Sequence, residues 1–457
     1  MSSRSATVSS STIAPRSSTW TASTLSSAAR PNRHERLAVI DRFNTEDTMS
    51  EQLALHGGPK AKQTPYTLTN RYGEEEVVEL RRALESGKLM GPGGVVEEFE
   101  AELAQAFEVK HVVTVTSGTA ALHTALCALG VAEGDEVITT PMTDIGTVAA
   151  ILALHAVPVF ADIDLETRLI DPEAVRGKIG PRTRCVITVH MSGMPCDMDT
   201  FMALGAETGV KILEDCAQAH GGTYKGRKLG SIGDAAGFSM NESKQMTTGD
   251  GGFVATGDDD TARIASLFRD KTYIRDGSVG RSGQPIPFFA LNYRANGLHA
   301  AVGRAQLAKL PALVARRREI AARYYNELGD LKDLQLPRIV DGGDPSWWPL
   351  AARYTGKAPS RDDLVEALHA EGLSISTGMS PANNILRTDM VRTKRYYPLT
   401  AEVPTFWRDI DYDPDSCPSV DELQRTVIRL PLDERYVDED IDATIAGMHK
   451  VWAHMTG

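Results

Sequence analysis

From residue 111 the chain repeats one rhythm: a short run of apolar, often β-branched residues, then a stretch whose apolar positions recur every three or four residues. HVVTVTS (111–117) leads into GTAALHTALCALG, which stops on Gly130. DEVITTP leads into TDIGTVAAILALHA, VPVFADID precedes DPEAVRGKI, RCVITVH precedes DMDTFMALGAETG, and VKILEDCA follows. Short apolar runs bounded by turn residues predict buried strands, and the three-to-four spacing predicts helices. Strands that are apolar on both faces and alternate with helices predict a mostly parallel sheet covered on both sides.

Upstream of the repeat, GEEEVVELRRALESGK (73–88) reads as a helix, which GPGG (91–94) separates from a second helix, VVEEFEAELAQAF. Downstream come a strand near 235–240, a glycine-rich loop, and the strand-like GGFVATG. The long helical stretch 296–330 contains Pro311, which predicts a kink. Beyond 331 the pattern turns α+β, with helices at PSRDDLVEALHAEG and DEDIDATIAGMHKVWAHM. The expected fold is therefore α/β, with a large, mostly parallel, doubly covered sheet domain over 49–330. A smaller C-terminal α+β domain follows over 331–457.

Residues 1–48 stand apart. The first thirty are rich in Ser, Thr, Ala and Arg, and the first acidic residue is Glu35. They contain no apolar core of a secretory signal. They read as a disordered tail or a start placed too early, with Met49 the functional one; an organellar targeting segment is the alternative.

Composition narrows the function classes. With 49 basic against 61 acidic residues the net charge is −12, which repels nucleic acid and anionic membranes. The five cysteines (Cys127, Cys185, Cys196, Cys216, Cys417) form no CxxC pair, and the histidines form no HExxH, so neither a disulfide framework nor a metal site is expected. A reduced, cytoplasmic setting fits. The most apolar stretch, 145–161, is shorter than the roughly 20 residues a membrane span needs and reads as a core helix running into a core strand.

In open α/β sheets, ligands bind at the carboxyl ends of the strands, and three segments there carry chemistry. TSGT (116–119) ends a strand and opens a helix, so the amides of Gly118 and Thr119 face outward at a positive helix end, a setting for phosphate or a plain N-cap. ILEDCAQAH (212–220) places Glu214 and Asp215 at a strand end. FSMNESKQMTTGDGG (238–252) holds one lysine, Lys244, between two apolar strands, where a buried ammonium is costly unless it is used. A phosphate cradle, a carboxylate and a lysine on neighbouring strands match the needs of pyridoxal 5′-phosphate. The lysine takes the aldehyde, the carboxylate faces the pyridine nitrogen, and the helix end with Ser239 holds the phosphate.

Residues 51–457 resemble the DegT/StrS-type aminotransferases of the aspartate-aminotransferase fold (fold type I), which act on keto-sugars and keto-cyclitols. The resemblance is carried by LALHGGPKA, LMGPGGVVEEFE, TSGTAALHTAL, DEVITTP, PVFADID, VHMSGMPCDM, EDCAQAHGGTYKGRKLGSIGDAAGFSM, SKQMTTGDGG and NYRANGLHAAVGRAQL. It implies Lys244 as the lysine that binds the cofactor, Asp215 as partner of its ring nitrogen, and Gln218 near its 3-oxygen. Gly118, Thr119 and Ser239 match phosphate ligands. Asn292 matches an asparagine that reaches the phosphate of a neighbouring subunit, which implies a homodimer with shared sites. His190, Trp347 and Trp348 fall where family members line the substrate pocket.

One segment departs from the family. Where its members stack an aromatic ring over the cofactor, MTDIGTV (142–148) offers only Ile145 or Asp144. An aliphatic side chain still covers a ring by dispersion contact. The retained lysine disfavours the dehydratase branch, in which histidine replaces it. The implied reaction moves an amino group from L-glutamine or L-glutamate to a small keto-cyclitol or keto-sugar, as in antibiotic or surface-polysaccharide biosynthesis. The run MTTGDGG places the chain nearer the glutamine:scyllo-inosose and aminohydroxybenzoate branch than the nucleotide-sugar branch. The alternatives are a nucleotide-linked keto-sugar as acceptor, or a relative that binds the cofactor without turnover.

Overall fold

The computed structural model describes residues 52–457 apart from 92, 276, 277, 280–282, 380–383, 399–401 and 457. The expectations for residues 1–48 lie outside the described residues. The alternating pattern becomes a seven-stranded sheet built from β1 (His111–Val115), β2 (Glu136–Thr139), β3 (Val157–Phe160), β4 (Thr183–Val189), β5 (Lys211–Asp215), β8 (Ala235–Ser239) and β9 (Gly252–Thr256). The short strands β6 (Thr223–Tyr224) and β7 (Arg227–Lys228) form a hairpin outside it. Sheet order is β1-β9-β8-β5-β4-β2-β3. The β2–β3, β2–β4, β4–β5 and β5–β8 pairs are parallel, while β9 runs antiparallel to both β1 and β8.

Every residue of β8 and β9 is buried, as their unbroken apolar sequences require of strands covered on both faces. The helix Gly118–Ala128 packs on β8 and β9, flanked by the helices Ile145–Leu152 and Asp259–Arg269. The apolar stretch 145–161 folds as expected, the first of these flanking helices followed by β3. Side-chain caps start these helices: Ser117 Oγ accepts from the Ala120 amide, Asp144 Oδ1 from Gly146, and Asp258 Oδ1 from Thr261.

The helix Gly297–Leu328 continues through Pro311. Packing from the helices Glu74–Ser86 and Val95–Ala106 holds it. After it come β10 (Leu334–Gln335), β11 (Gly343–Asp344), β12 (Leu350–Tyr354) and β13 (Val427–Leu430). β10, β12 and β13 make an antiparallel sheet, the helices Arg361–Ala370 and Asp438–Met455 pack on each other, and β11 joins the β6–β7 hairpin. The chain segment near residue 60 is tied to this C-terminal part. Lys62 Nζ pairs with Asp440 in a fully buried contact of 2.6 Å, and the Glu371 carboxylate accepts the amides of Ala54 and Ala61.

Candidate active site

Glu214 and Asp215 end β5, and strand alternation sends them to opposite faces of the sheet. Glu214 is consumed by structure. Its Oε1 accepts the amides of Ile232 and Gly233, and its Oε2 accepts the Gly230 amide and His190 Nε2 at 3.0 Å. Burial alone raises such a carboxyl, yet the His190 contact and the Gly230 and Gly233 amides outweigh it and hold the group below the usual carboxylate range. His190 is itself fully buried, and its Nδ1 accepts the Cys196 amide at 3.0 Å, so Nε2 carries the proton given to Glu214. Cys216 comes close to this pair. Both ring nitrogens are committed, however, and burial keeps the thiol protonated, so the cluster shares protons among its own members.

Asp215 is 4% exposed and faces the other way. Its Oδ2 accepts from Thr147 Oγ1 at 2.8 Å, and its Oδ1 accepts the Ala217 amide at 3.1 Å. Thr147 in turn shares a 2.8 Å hydrogen bond with Thr143 Oγ1. Burial pushes the Asp215 carboxyl above its ordinary range, against the pull of Ala217, Thr147 and the nearby Lys244 ammonium. A carboxylate so placed has a strong incentive to take a cationic partner.

Lys244 follows β8 on the loop that also carries Asn241 and Ser243. Burial depresses its ammonium, opposed by Asp215 and Asp144. Among the described residues Nζ makes no ion pair; it sits 4.0 Å from the centre of the Trp348 ring. Trp348 is anchored at both ends, its backbone amide donating to Ser192 O at 2.8 Å and its Nε1 to Ser243 O at 2.6 Å. Ser192 also donates its amide to Gln218 Oε1 at 2.8 Å, which fixes the side chain that leads from β5 into the site.

The third component is the place where the helix start that follows β1 meets the end of β8. A Cβ on Gly118 would stand 2.6 Å from Ser239 Cβ, so only glycine lets the helix start approach Ser239 so closely. Among the described residues the amides of Gly118 and Thr119 have no backbone acceptor, as expected of the first turn of a helix. Ser239 is 6% exposed beside them. Thr119 Oγ1 and Asp144 line the same edge, since a Cβ on Gly146 would fall within 2.5 Å of the one and 3.1 Å of the other. A helix start beside Ser239, a buried carboxylate and a lowered amine thus gather at the strand ends, and this donor set fits pyridoxal phosphate.

The remaining expected residues separate. Gln218 joins the group, and Ile145, 41% exposed, stands at its rim beside Asp144. His190 lies behind Asp215, fully buried, its ring bonded to Glu214 and to the Cys196 amide. Trp347 is buried against Tyr325, whereas Trp348 covers Lys244. A left-handed φ of 51° at Trp347 divides the adjacent rings between core and site. Asn292 is exposed and forms a β-bridge with Asp270. Sequence reasoning passed over Thr147, whose segment drew notice only for its missing ring, and Arg71, whose guanidinium donates to the Lys244 and Gln245 carbonyls at 2.6 and 3.0 Å.

Comparison with known proteins follows this geometry. The model of the DegT/DnrJ/EryC1/StrS aminotransferase family matches residues 70–449. The chain is similar to the spore coat polysaccharide biosynthesis protein SpsC of Bacillus subtilis (strain 168), 34% identical over 394 residues, which cover 85% of this chain and 96% of that protein. It is 35% identical over 341 residues to a Streptoalloteichus tenebrarius protein that carries the name of an L-glutamine:3-amino-2,3-dideoxy-scyllo-inosose aminotransferase, with 71% of this chain and 79% of that one covered. The crystal structure of 3-amino-5-hydroxybenzoic acid synthase superposes with a TM-score of 0.75 at 31% identity, covering 86% of this chain and all of the other.

Proposed function

Because the chain belongs to the DegT/DnrJ/EryC1/StrS aminotransferase family, whose members are pyridoxal-phosphate enzymes, we propose that it carries the amino group of L-glutamine or L-glutamate to a keto-cyclitol of the scyllo-inosose type. The observation that carries the reading is a burial-depressed Lys244 that feels the buried Asp215, together with the close approach of Gly118 to Ser239 at the neighbouring strand end.

Lys244 Nζ would hold the cofactor's aldehyde carbon, Asp215 its ring nitrogen, and Gly118, Thr119 and Ser239 its phosphate, with Gln218 and Ile145 bordering the ring. When bound, pyridoxal phosphate supplies a conjugated ring that takes up the electron pair left when a proton leaves the donor's α-carbon. The chain's residues do the rest. Because burial lowers its ammonium, Lys244 reaches the neutral state near neutral pH more readily than a solvated lysine, so its Nζ can take that proton. Trp348 covers the amine and keeps water from it, and the Trp348–Ser192–Gln218 chain holds the cover in place. Asp215, held by Thr147 and Ala217, retains the charge that fixes a proton on the ring nitrogen. His190 and Glu214 brace this strand end from behind.

The carbocyclic acceptor is supported by the MTTGDGG run and by the names of the Streptoalloteichus relative and of the aminohydroxybenzoic acid synthase. In a homodimer, Asn292 of each subunit would complete the phosphate site of the other. The exposed Ile286 and Phe289 that precede it supply apolar surface for such an interface. Purified enzyme with L-glutamine and, in separate reactions, scyllo-inosose, a deoxy analogue and a nucleotide-linked 4-keto-sugar tests the reading by product mass. Amination of the carbocycles supports it, and amination of the nucleotide sugar alone overturns it.

A further inference from the structure

Four consecutive carbonyls around Lys244 are held from outside their loop. Arg71 Nη1 donates to Glu242 O at 2.7 Å, and its Nη2 donates to the Lys244 and Gln245 carbonyls. Trp348 Nε1 takes the fourth, Ser243 O. The backbone that aims the amine therefore hangs from two side chains, neither of which belongs to the large sheet.

Those two share a common support. Glu434, just past β13 and with its side chain 2% exposed, receives Arg317 Nε on Oε2 at 2.7 Å, with Arg317 Nη2 2.5 Å from the same oxygen. Arg317 Nη1 donates to the carbonyls of Trp347 and Trp348 at 3.0 and 2.9 Å, at the turn that throws the Trp348 ring over Lys244. Glu434 Oε1 lies 3.4 Å from Arg71 Nη2. One buried carboxylate thus stands between the guanidinium that holds the lysine loop and the guanidinium that holds its cover.

We propose that Glu434 is a positioning residue, the carboxylate that keeps the Lys244 loop and the Trp348 ring in one register. The proposal rests on Lys244 as the reactive amine. A purely stabilising role does not account for the arrangement. Two cations share one buried carboxylate whose Oε1 takes no hydrogen bond among the described residues, and apolar packing does at least as well for stability as such a cluster. What the cluster delivers is geometry, because both guanidiniums spend N–H groups on the backbone of the amine and of the ring above it. Arg71 precedes the helix Glu74–Ser86, Arg317 lies on the long helix, and Glu434 follows β13. The register is therefore set by three separate parts of the fold.

The test uses the full chain as Glu434→Gln, Glu434→Asp, Trp348→Phe and the Glu434→Gln/Trp348→Phe pair. Two quantities are read: kcat at saturating donor, and the pH dependence of pyridoxal phosphate attachment to cofactor-free protein, fixed with borohydride and located by peptide mass. Misplacing a reacting group by about 1 Å costs roughly 100-fold, so folded Glu434→Gln is expected to lose kcat on that scale. Its attachment midpoint is expected to move to higher pH as water reaches the amine, and Glu434→Asp to fall between. The two single losses should combine to less than their product, since both act on the same loop. A folded Glu434→Gln with kcat within about threefold of the parent, well short of that 100-fold, and an unmoved attachment curve overturns the proposal. If Glu434→Gln does not fold, Glu434→Asp is held to the same two outcomes. Lys244→Ala separates the parent reading: retained turnover there refutes the lysine assignment whatever residue 434 does.

Discussion

Replacing Thr147 with valine removes one hydroxyl and little volume. The hydroxyl it removes is the 2.8 Å donor to Asp215 Oδ2, in a place where both residues are buried and no solvent replaces the bond. A hydrogen bond to a charged group is worth about 1.5–3 kcal/mol, and its loss leaves a carboxylate oxygen desolvated and unpaired. The Ala217 amide on Oδ1 remains, so the loss is partial and the variant is expected to fold. If the Asp215 charge acts in the transition state, that energy corresponds to roughly a 10- to 100-fold fall in kcat/KM, at tenfold per 1.36 kcal/mol. The pH dependence has a defined sign. Burial already raises the Asp215 carboxyl above its value in the unfolded chain, and losing Thr147 raises it further. The folded protein then binds this proton more tightly than the unfolded chain. The stability gap between variant and parent is therefore closed in acid, below both values, and opens as pH rises through the folded one. Thermal denaturation at acid and neutral pH and kcat/KM profiles of Thr147→Val and Thr147→Ser check both points. Serine keeps the donor and should stay near the parent. A valine variant with parental kcat/KM and no pH-dependent stability gap refutes the reasoning.

Lys244→Ala should lose the visible absorbance of bound cofactor together with turnover; a variant that stays yellow after dialysis shows that another amine is used. Gly118→Ala forces a methyl to 2.6 Å from Ser239 Cβ and should weaken uptake of pyridoxal phosphate about tenfold or more, read by fluorescence titration of cofactor-free protein. Unchanged affinity there removes the cradle from the site. Ile145→Phe places a ring at the exposed rim and should tighten cofactor binding up to about tenfold, since an aromatic pair adds about 0.5–1.5 kcal/mol beyond its area. No gain would mean that residue 145 does not reach the ring.

The sheet was readable because its strands are continuous apolar runs with helices of clear period between them, a pattern with few other folded outcomes. Lys244, Asp215 and the Gly118 turn were readable as strand-end chemistry. Their neighbours were not. Glu214 and Asp215 are adjacent acids, and only the pleat decides that one is spent on four donors while the other faces the lysine. Trp347 and Trp348 are adjacent rings, and a left-handed backbone turn, invisible in composition, sends one into the core. Arg71, Arg317 and Glu434 are ordinary charges along the chain, and their meaning comes from a meeting that only the tertiary fold creates.

The reversed strand β9 bears on how the enzyme is made. β1 pairs within the sheet with β9 alone, and β9 is the last strand of that sheet to leave the ribosome. A nascent chain can build the β2–β5 region early, but its first strand must wait unpaired, with a slow, long-range closure still ahead. Cofactor retention should therefore come late in synthesis, and fragments that stop before residue 252 should remain colourless and prone to aggregate through that waiting edge.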